Sequence, residues 1–431
     1  MKAFRFILIL VLLLASACNE LPLPGGTAIP TNAPTPSPSP TPENSPTPEA
    51  GAAPSEPVTL RIWLPPQFDP NSGTQAGDLL RARLESFASL RPRLQLEVRV
   101  KSLQDPGGLL DALASASAAA PLALPDLVAL PRPTMEAAAL KGLLYPIDGL
   151  ATNLDDADWY DFARQLARIQ NTTFGVPMAG DALIMIFRPE VVGDPPSDWT
   201  SALETVGPLA FPAADPLALH TLALYQAAGG VIQDEQGRPT LNANTLAQVL
   251  AIYKESESAN LLPLWLTQIE DDEQAWEAYQ SQRASMVVTW ASRYLANQET
   301  ELESSAAPIP TPDGTPYTLA TGWVWALSNP QPEKQRLAIE LAEYLTDPSF
   351  LAEWSLAAGY MPTRSSALSG WTESPAQALV SRIVLSSHLI PPADVLSSLG
   401  PLLKLAATQV LKQQGDPVAL AQDTVDHLQN P

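Results

Sequence analysis

Apolar and polar residues alternate with a period of two in several short stretches of the chain. In the first stretch Val58, Leu60, Ile62 and Leu64 share one side, and the same alternation recurs over residues 94–100. A period of two is typical of a strand with one buried face. The pattern therefore predicts strands over 58–64 and 94–100.

Helical spacing separates these strands. Leu80, Leu84 and Phe87 follow one another at intervals of four and three, which indicates an amphipathic helix. A second helical stretch, a third strand over 125–130 and a third helix over 134–144 follow. The order β-α-β-α-β predicts an α/β class with a parallel sheet flanked by helices. Ligands of such sheets bind beyond the carboxyl ends of the strands, where Trp63 and the turn at Arg132 lie.

A second unit begins with a long apolar stretch over residues 175–192. Leu183 to Phe187 predict a buried strand, yet Gly180 and Asp181 stand at its entrance. Further helices alternate with a strand that ends at Trp290 and with another over 317–329. Because 431 residues exceed what one hydrophobic core usually carries, we expect two domains.

The N-terminus has the pattern of a secretory signal. Lys2 and Arg5 precede a short apolar run from Phe6 to Leu14, and small residues lead to Cys18, the only cysteine. Residues 15–18 resemble a lipobox, except that Ala15 stands where leucine is preferred. We expect a signal peptide over 1–17 and lipidation of Cys18. The alternative is an ordinary cleaved signal that ends near a cysteine.

Residues 18–57 combine the cysteine with a segment rich in proline, threonine and serine. Such a composition cannot form a core and predicts an extended tether with a reach on the order of 100 Å. A tether behind a lipid anchor would hold a folded module outside the cytoplasm and close to a membrane. We therefore expect an extracytoplasmic protein that is lipid-anchored to the cell membrane.

Charge and motif content narrow the function. The formal net charge of −22 argues against nucleic acid as a partner, and says little about a small neutral ligand. The three histidines have no metal-ligand spacing, and neither a phosphate-binding glycine loop nor a Gly-x-Ser-x-Gly motif occurs. We expect no cofactor, no metal and no catalytic residue. A pair of glycosidase carboxylates stays open, because their spacing is spatial rather than sequential.

The order of the segments resembles that of extracellular solute-binding proteins of ABC importers, family 1, typified by maltose- and oligosaccharide-binding proteins. The most specific stretch is 321–368, which resembles the family's Gly-Gly-Trp strand, its Leu-Thr-x-Pro helix end and its Gly-Tyr-x-Pro-Thr-Arg segment. This resemblance implies a periplasmic-binding-protein-like fold of two lobes, each a mixed sheet flanked by helices, with a hinge between them. Lobe 1 would comprise 58–178 and 291–321, and lobe 2 would comprise 181–289 and 322–431.

The resemblance also implies a set of ligand-binding residues in the cleft. Gly180 and Ala291 would lie at the hinge, and the Asp181 carboxylate would accept hydrogen bonds from sugar hydroxyls, although it could instead cap a turn. The aromatic rings of four residues would stack on sugar faces, although each could instead pack in the core. These residues are Trp63, Trp290, Trp323 and Tyr360.

Two arginines complete the expected site. Arg132 and Arg364 could reach the ligand or pair with acidic side chains. Several sugar binders place an Asp-Arg pair in the turn that holds Arg132, but no carboxylate precedes it here. This departure leaves open a solute that is not a sugar.

Three functions are consistent with the sequence. The first is a monomeric, membrane-anchored binding protein that captures a small-molecule solute, a sugar or oligosaccharide, and delivers it to the membrane subunits of an ABC permease. The second is a surface lipoprotein that hydrolyses polysaccharide. The third is a binding module that feeds a sensor instead of a permease.

Overall fold

The computed structural model describes residues 57–104, 106–298 and 303–429. The predicted signal peptide, the lipidation at Cys18 and nearly all of the tether lie outside the described residues. Within the described ranges, no helix combines the length and the apolar character that a membrane crossing requires.

Strands and helices alternate as the periodicity predicts, and the expected strands over 58–64 and 94–100 are confirmed. The strands are β1 (Val58–Leu64), β2 (Leu94–Val100), β3 (Leu127–Pro131), β4 (Arg168–Ile169), β5 (Thr172–Thr173), β6 (Gly175–Phe187), β7 (Leu209–Ala210), β8 (Met286–Trp290), β9 (Ser305–Ala307), β10 (Thr318–Leu327) and β11 (Ser387–Leu389). The helices are α1 (Gln75–Ser89), α2 (Leu109–Ala119), α3 (Arg132–Leu140), α4 (Asp161–Leu166), α5 (Pro189–Val192), α6 (Trp199–Leu203), α7 (Leu219–Ala227), α8 (Ala243–Ser258), α9 (Asp272–Gln280), α10 (Ala291–Ala296), α11 (Pro332–Leu345), α12 (Pro348–Ala358), α13 (Ser365–Ser369), α14 (Pro375–Ile383), α15 (Ala393–Leu411) and α16 (Pro417–Gln429).

Several helices begin at a residue whose side chain accepts a hydrogen bond from the first turn. Thr74 does so for α1, Asp198 for α6, Asn242 for α8 and Asp271 for α9. Each such cap is worth about 1 kcal/mol, because it satisfies a backbone N–H that has no partner within the helix. Local sequence therefore sets where these helices start.

One mixed sheet runs through the molecule in the order β2-β1-β3-β10-β6-β8-β7. Strand β1 is parallel to β2 and β3, whereas β10 is antiparallel to both β3 and β6. Strand β8 is antiparallel to β6 and parallel to β7. The two remaining strands of this sheet are attached at its middle, since β9 pairs with β6 and β11 pairs with β10.

Two strands change partners along their length and so connect the two parts of this sheet. In β6 the backbone from Gly175 to Ala182 pairs with β10, whereas Leu183 to Phe187 pair with β8. In β10 residues 318–320 pair with β11, whereas 323–327 pair with β3. We call β2, β1, β3 and the segments of β6 and β10 beside them the first half-sheet. The second half-sheet consists of β7, β8, β9 and residues 183–187.

The strand partners differ from those that the expected lobe boundaries imply. Residues 305–307, expected in lobe 1, pair with the second half-sheet, and residues 323–327, expected in lobe 2, pair with β3 in the first half-sheet. The reason is that the chain does not return to the first half-sheet after Trp290. It enters α10 instead, and returns only through β10, in the opposite direction to β6.

The two faces of the first half-sheet enter different hydrophobic clusters. Ile62 and Leu64 pack in the main cluster, which also receives β6 and most of the helices. Trp63, on the other face of β1, packs with Val128 in a smaller cluster beneath α2 and α3. Helices α7, α8, α15 and α16 pack on one another next to the second half-sheet. The face of β1 that carries Trp63 is therefore a packed face.

Candidate functional site

Asp181 lies at the point where β6 passes from one half-sheet to the other. Its backbone is in register with Thr321 of β10, and its side chain is only 8% exposed. The carboxylate accepts hydrogen bonds from the Ala182 N–H at 3.0 Å, the Ser292 N–H at 2.9 Å and the Ser292 hydroxyl at 2.5 Å. Because the residue before α10, Trp290, provides no side-chain cap, Asp181 supplies the acceptor for the first turn of that helix.

Burial dominates the electrostatics of this carboxyl group. Loss of solvation, together with the negative charge of Asp272, outweighs the opposing hydrogen bonds from Ser292 and Ala182 and raises the pKa of Asp181 to about 7. Near neutral pH the group therefore exists in both protonation states. It can accept hydrogen bonds from a ligand when ionised and donate one when protonated.

A cluster of aromatic rings lies on the first half-sheet side of Asp181. The ring of Phe68, in the turn after β1, meets Trp323 at a centroid distance of 4.9 Å and Tyr360 at 5.7 Å, both edge to face. Burial raises the pKa of the Tyr360 hydroxyl to about 12, and the charge of Asp181 adds to this effect. The same hydroxyl interacts with the side chains of Gln67 and Trp323. Tyr360 as a residue stays partly exposed.

Trp290 provides a second partly exposed ring on the other side of the crossing. It is the last residue of β8, opposite Leu183 of β6, and lines a cavity of about 180 Å³ in the second half of the molecule. Asp181, Trp290, Trp323 and Tyr360 are thus four expected site residues that the structure places around the crossing strands.

Three other expected site residues are held elsewhere by packing or pairing. Trp63 is buried under the Lys101 amine, 4.5 Å above its ring. Arg132 is 5% exposed, donates hydrogen bonds to the carbonyls of Gln165, Leu166 and Arg168, and lies 3.7 Å from the Glu136 carboxylate.

Arg364 is also held by ion pairs and ring stacking within the fold. Its guanidinium lies 3.4 Å from both Asp156 and Asp158 and 4.0 Å from the centre of the Trp159 ring. With its ion pairs and stacking partner supplied by one loop, Arg364 fastens that loop to the start of α13. The structure does not bring it, Trp63 or Arg132 into the group around Asp181.

The expected hinge residues have different surroundings. Gly180 exchanges two backbone hydrogen bonds with Met361, at 2.8 and 2.9 Å, and a Cβ there would come within 2.6 Å of the Phe162 ring. Gly322, its partner on β10, is equally restricted, because a Cβ would lie 2.2 Å from the Ala179 carbonyl. Ala291 is fully buried as the first residue of α10.

Sequence reasoning missed several residues of the group. Gln67 and Phe68 lie in a short turn after β1, Ser292 is the second residue of α10, and Gly322 pairs with Gly180 on the neighbouring strand. Gln67, Phe68 and Ser292 belong to no local motif, and although Gly322 lies in the stretch that resembles the Gly-Gly-Trp strand, only the tertiary structure pairs it with Gly180. In the described part of the chain, no group of three or more histidine, cysteine, aspartate or glutamate side chains could hold a metal ion.

Two half-sheets joined by crossing strands, with polar and aromatic side chains at the crossing, define the class of two-lobed α/β binding proteins. Residues 93–378 match the model of the family described as bacterial extracellular solute-binding protein. The match covers well over half of the 431 residues, and the chain belongs to this family. The family is one of binding proteins that work outside the cytoplasm. No curated protein sequence is significantly similar to the chain.

Solved structures share the fold. The cyclic alpha-maltosyl-1,6-maltose binding protein from Arthrobacter globiformis is 17% identical, with a TM-score of 0.69 over 86% of this chain and 99% of that one. The sugar-binding protein MalE from Xanthomonas citri is 16% identical, with a TM-score of 0.69 over 86% and 97%. A cyclo/maltodextrin-binding protein complexed with maltotetraose is 19% identical, with a TM-score of 0.69 over 87% and 97%. The predicted two-lobed fold is therefore confirmed.

Proposed function

We propose that this chain captures a sugar or oligosaccharide in the cleft between its lobes and delivers it to the membrane subunits of an ABC permease. A lipid on Cys18 would hold it at the outer side of the cell membrane, where it would act as a monomer. The ligand is bound and released unchanged.

The arrangement around Asp181 carries this proposal. A carboxylate has about four lone-pair sites, and three are used by Ala182 and Ser292, so one remains for a ligand hydroxyl. Tyr360, whose hydroxyl feels the charge of Asp181, and Trp290, opposite Leu183 two residues further along β6, are both partly exposed. A sugar is distinguished by hydroxyl groups around an apolar ring face. The Asp181 carboxylate would bind a hydroxyl group, and the aromatic rings would cover the apolar face.

The solved neighbours support the same ligand class, since the three described above are named for sugar or maltodextrin binding. The absence of an acidic residue directly before Arg132 does not argue against a sugar ligand. Arg132 has its acidic partner one turn later, at Glu136, and directs its guanidinium to backbone carbonyls. We assign this arginine to the structure of the first lobe and not to the ligand.

Closure of the cleft follows from the two crossing strands. We place the hinge at Gly180 and its partner Gly322 rather than at Ala291, because β6 and β10 change partners there. A ligand that contacts both lobes would favour the closed state by its extra contacts, which is the usual mechanism of domain closure.

A thermal-shift screen tests the proposal. The purified chain is heated with monosaccharides, oligosaccharides, polyols and amino acids, and one sugar class should produce a saturable shift. A ligand at 100 times its dissociation constant stabilises the folded chain by about 2.7 kcal/mol. The shift should vanish in Asp181→Ala and persist in Asp313→Ala, which alters an exposed turn. A screen in which amino acids but no sugar stabilise the chain contradicts the proposal.

A further inference from the structure

The cavity beside Trp290 is strongly acidic. It lies where the ends of β8 and the start of α9 meet the loop before α7, and its volume is about 180 Å³. Four carboxylates line it. They belong to Asp215, Glu270, Asp271 and Asp272.

Basic side chains neutralise only part of this charge. Asp272 lies 2.8 Å from the Arg293 guanidinium, but the same guanidinium also pairs with Glu273 at 2.8 Å. Among the described residues, no lysine or arginine lies within 4.0 Å of the other three lining carboxylates. The positive charge of Lys404 acts on Asp215 from a greater distance and favours its ionised form. The cavity therefore keeps a net negative charge.

A buried imidazole provides an independent sign of a ligand. His220 lines the same cavity and is only 4% exposed. Its Nδ1 is 2.9 Å from the Tyr253 hydroxyl, whereas its Nε2 has no hydrogen-bond partner among the described residues. Buried polar atoms are seldom left without a partner, so a bound molecule is expected to complete this one.

The imidazole adds hydrogen-bonding capacity without adding positive charge. Burial lowers the pKa of His220 to about 3, so the ring is neutral near pH 7 and does not offset the carboxylates. A metal ion is not the matching cation, because the described residues contain no cluster that could hold one. An organic cation with a flat apolar face beside Trp290 matches both the charge and the ring.

We propose that this acidic cavity selects a solute whose sugar ring carries a protonated amine, that is, an amino sugar or an oligosaccharide that ends in one. This inference rests on the proposed function, because it names the kind of sugar that would be bound beside Trp290, a residue of the proposed site. The ring would lie on Trp290, and the ammonium group would face Glu270 and Asp215. Charge-assisted hydrogen bonds of this kind are roughly twice as strong as neutral ones.

Calorimetry with matched pairs of sugars tests the inference on the full chain in detergent. The pairs are glucosamine with glucose, galactosamine with galactose, and the β-1,4 trimer of glucosamine with cellotriose, at a pH where the amine is protonated. The members of each pair differ only in carrying an amine in place of a hydroxyl, at one position in the monosaccharides and at one position on each ring in the trimers. We expect at least one amine to bind about tenfold more tightly than its hydroxyl twin, and the difference to shrink as salt is added.

One substitution locates the effect. Glu270 is exposed at the rim of the cavity and makes no ion pair, so Glu270→Gln should leave the fold intact. This substitution should weaken binding of the amino sugar about fivefold. The affinity for the matching sugar without the amine should stay within about twofold of that of the parent chain. Glu277→Gln, on the exposed side of α9 and outside the cavity, is the matched control and should change neither.

The outcomes separate this inference from the proposed function. Equal affinity within every pair, or tighter binding of the hydroxyl sugars, overturns the preference for an amine and leaves sugar binding in place. A panel in which no sugar binds contradicts both proposals.

Discussion

The surroundings of Asp181 and those of Arg132 use the same kinds of side chain in different ways. Both regions combine one buried charged group with a tryptophan near the end of a strand. Around Asp181 the rings of Trp290 and Tyr360 remain partly exposed, and the carboxylate has bonding capacity left. Around Arg132 the guanidinium meets three carbonyls and Glu136, and Trp63, at the end of β1, is buried.

This comparison shows that residue type and position at a strand end do not by themselves indicate a binding residue. A charged group such as Arg132, which bonds to backbone carbonyls and lies beside an acidic side chain of the fold, stabilises the fold. A charged group next to exposed rings, with an acceptor site unused, can bind a ligand. Four substitutions test this distinction, from the largest expected effect to the smallest.

Replacing Arg132 should cost the most stability. Arg132→Met would remove the donor to the buried Leu166 carbonyl and the positive charge beside the buried Glu136 carboxylate, so we expect the free energy of unfolding to fall by about 3–5 kcal/mol. Urea denaturation measures it. Arg238→Met, which removes an exposed pair with Asp234, should cost less than about 1 kcal/mol. If Arg132→Met weakens ligand binding but leaves stability unchanged, the distinction between a structural Arg132 and a ligand-binding Asp181 is wrong.

Asp181→Asn should change how stability depends on pH. Because the pKa of Asp181 rises from its ordinary 3.8 to about 7, the folded chain binds this proton more tightly than the unfolded chain. Its contribution to stability is therefore greatest below about pH 4 and declines as pH rises to about 7, by about 4 kcal/mol at most. Asparagine keeps the acceptor oxygen and removes this slope.

Thermal unfolding from acid to neutral pH, with the variant curve subtracted from the parent curve, isolates the Asp181 contribution. Asp198→Asn is a control of opposite sign. Hydrogen bonds with Ser201 lower the pKa of Asp198, so its contribution is lost as pH falls through its titration. Identical pH profiles for the parent and Asp181→Asn would show that the carboxylate titrates at its ordinary value.

Trp290→Ala should mainly affect binding. Loss of a stacking ring is expected to weaken sugar binding by roughly 30- to 100-fold, about 2–3 kcal/mol, with a smaller change in stability because the ring is already partly exposed. Calorimetry measures the affinity. Trp265→Ala removes a partly exposed ring that stacks on Arg283 and does not line the cavity beside Trp290, and it should leave affinity unchanged. Equal losses in both variants would place the ligand elsewhere.

Tyr360→Phe should have the smallest effect. The ring remains against Phe68, and only the hydroxyl near Gln67 and Trp323 is lost, so affinity should fall about three- to tenfold with little loss of stability. Tyr317→Phe, whose ring stacks on His388 at 4.2 Å, serves as the control and should bind as the parent does. A larger loss of stability than of affinity would make Tyr360 a packing residue.

Much of the fold could be predicted from the sequence because its causes are local. The period of two over 58–64 and the spacing of Leu80, Leu84 and Phe87 report which residues face a core, and both elements form as predicted. The apolar run from Leu183 to Phe187 predicted the buried strand β6, and the family resemblance implied that the chain crosses between lobes there. The pairing of β10 with β3 in the first half-sheet was not predicted, because it joins residues far apart in the chain.

The sequence alone determined the α/β alternation, the helix starts and the family, because periodicity, capping and segment order are written in neighbouring residues. Only the tertiary structure decided which of the flagged residues meet. It placed Phe68 against Trp323 and Ser292 on Asp181, and it buried Trp63 and Arg132. The physical reason is that burial and pairing depend on residues from other elements of the chain, as with Asp181 and Ser292, and the chemistry of each side chain depends on which of its bonding sites those residues leave unused.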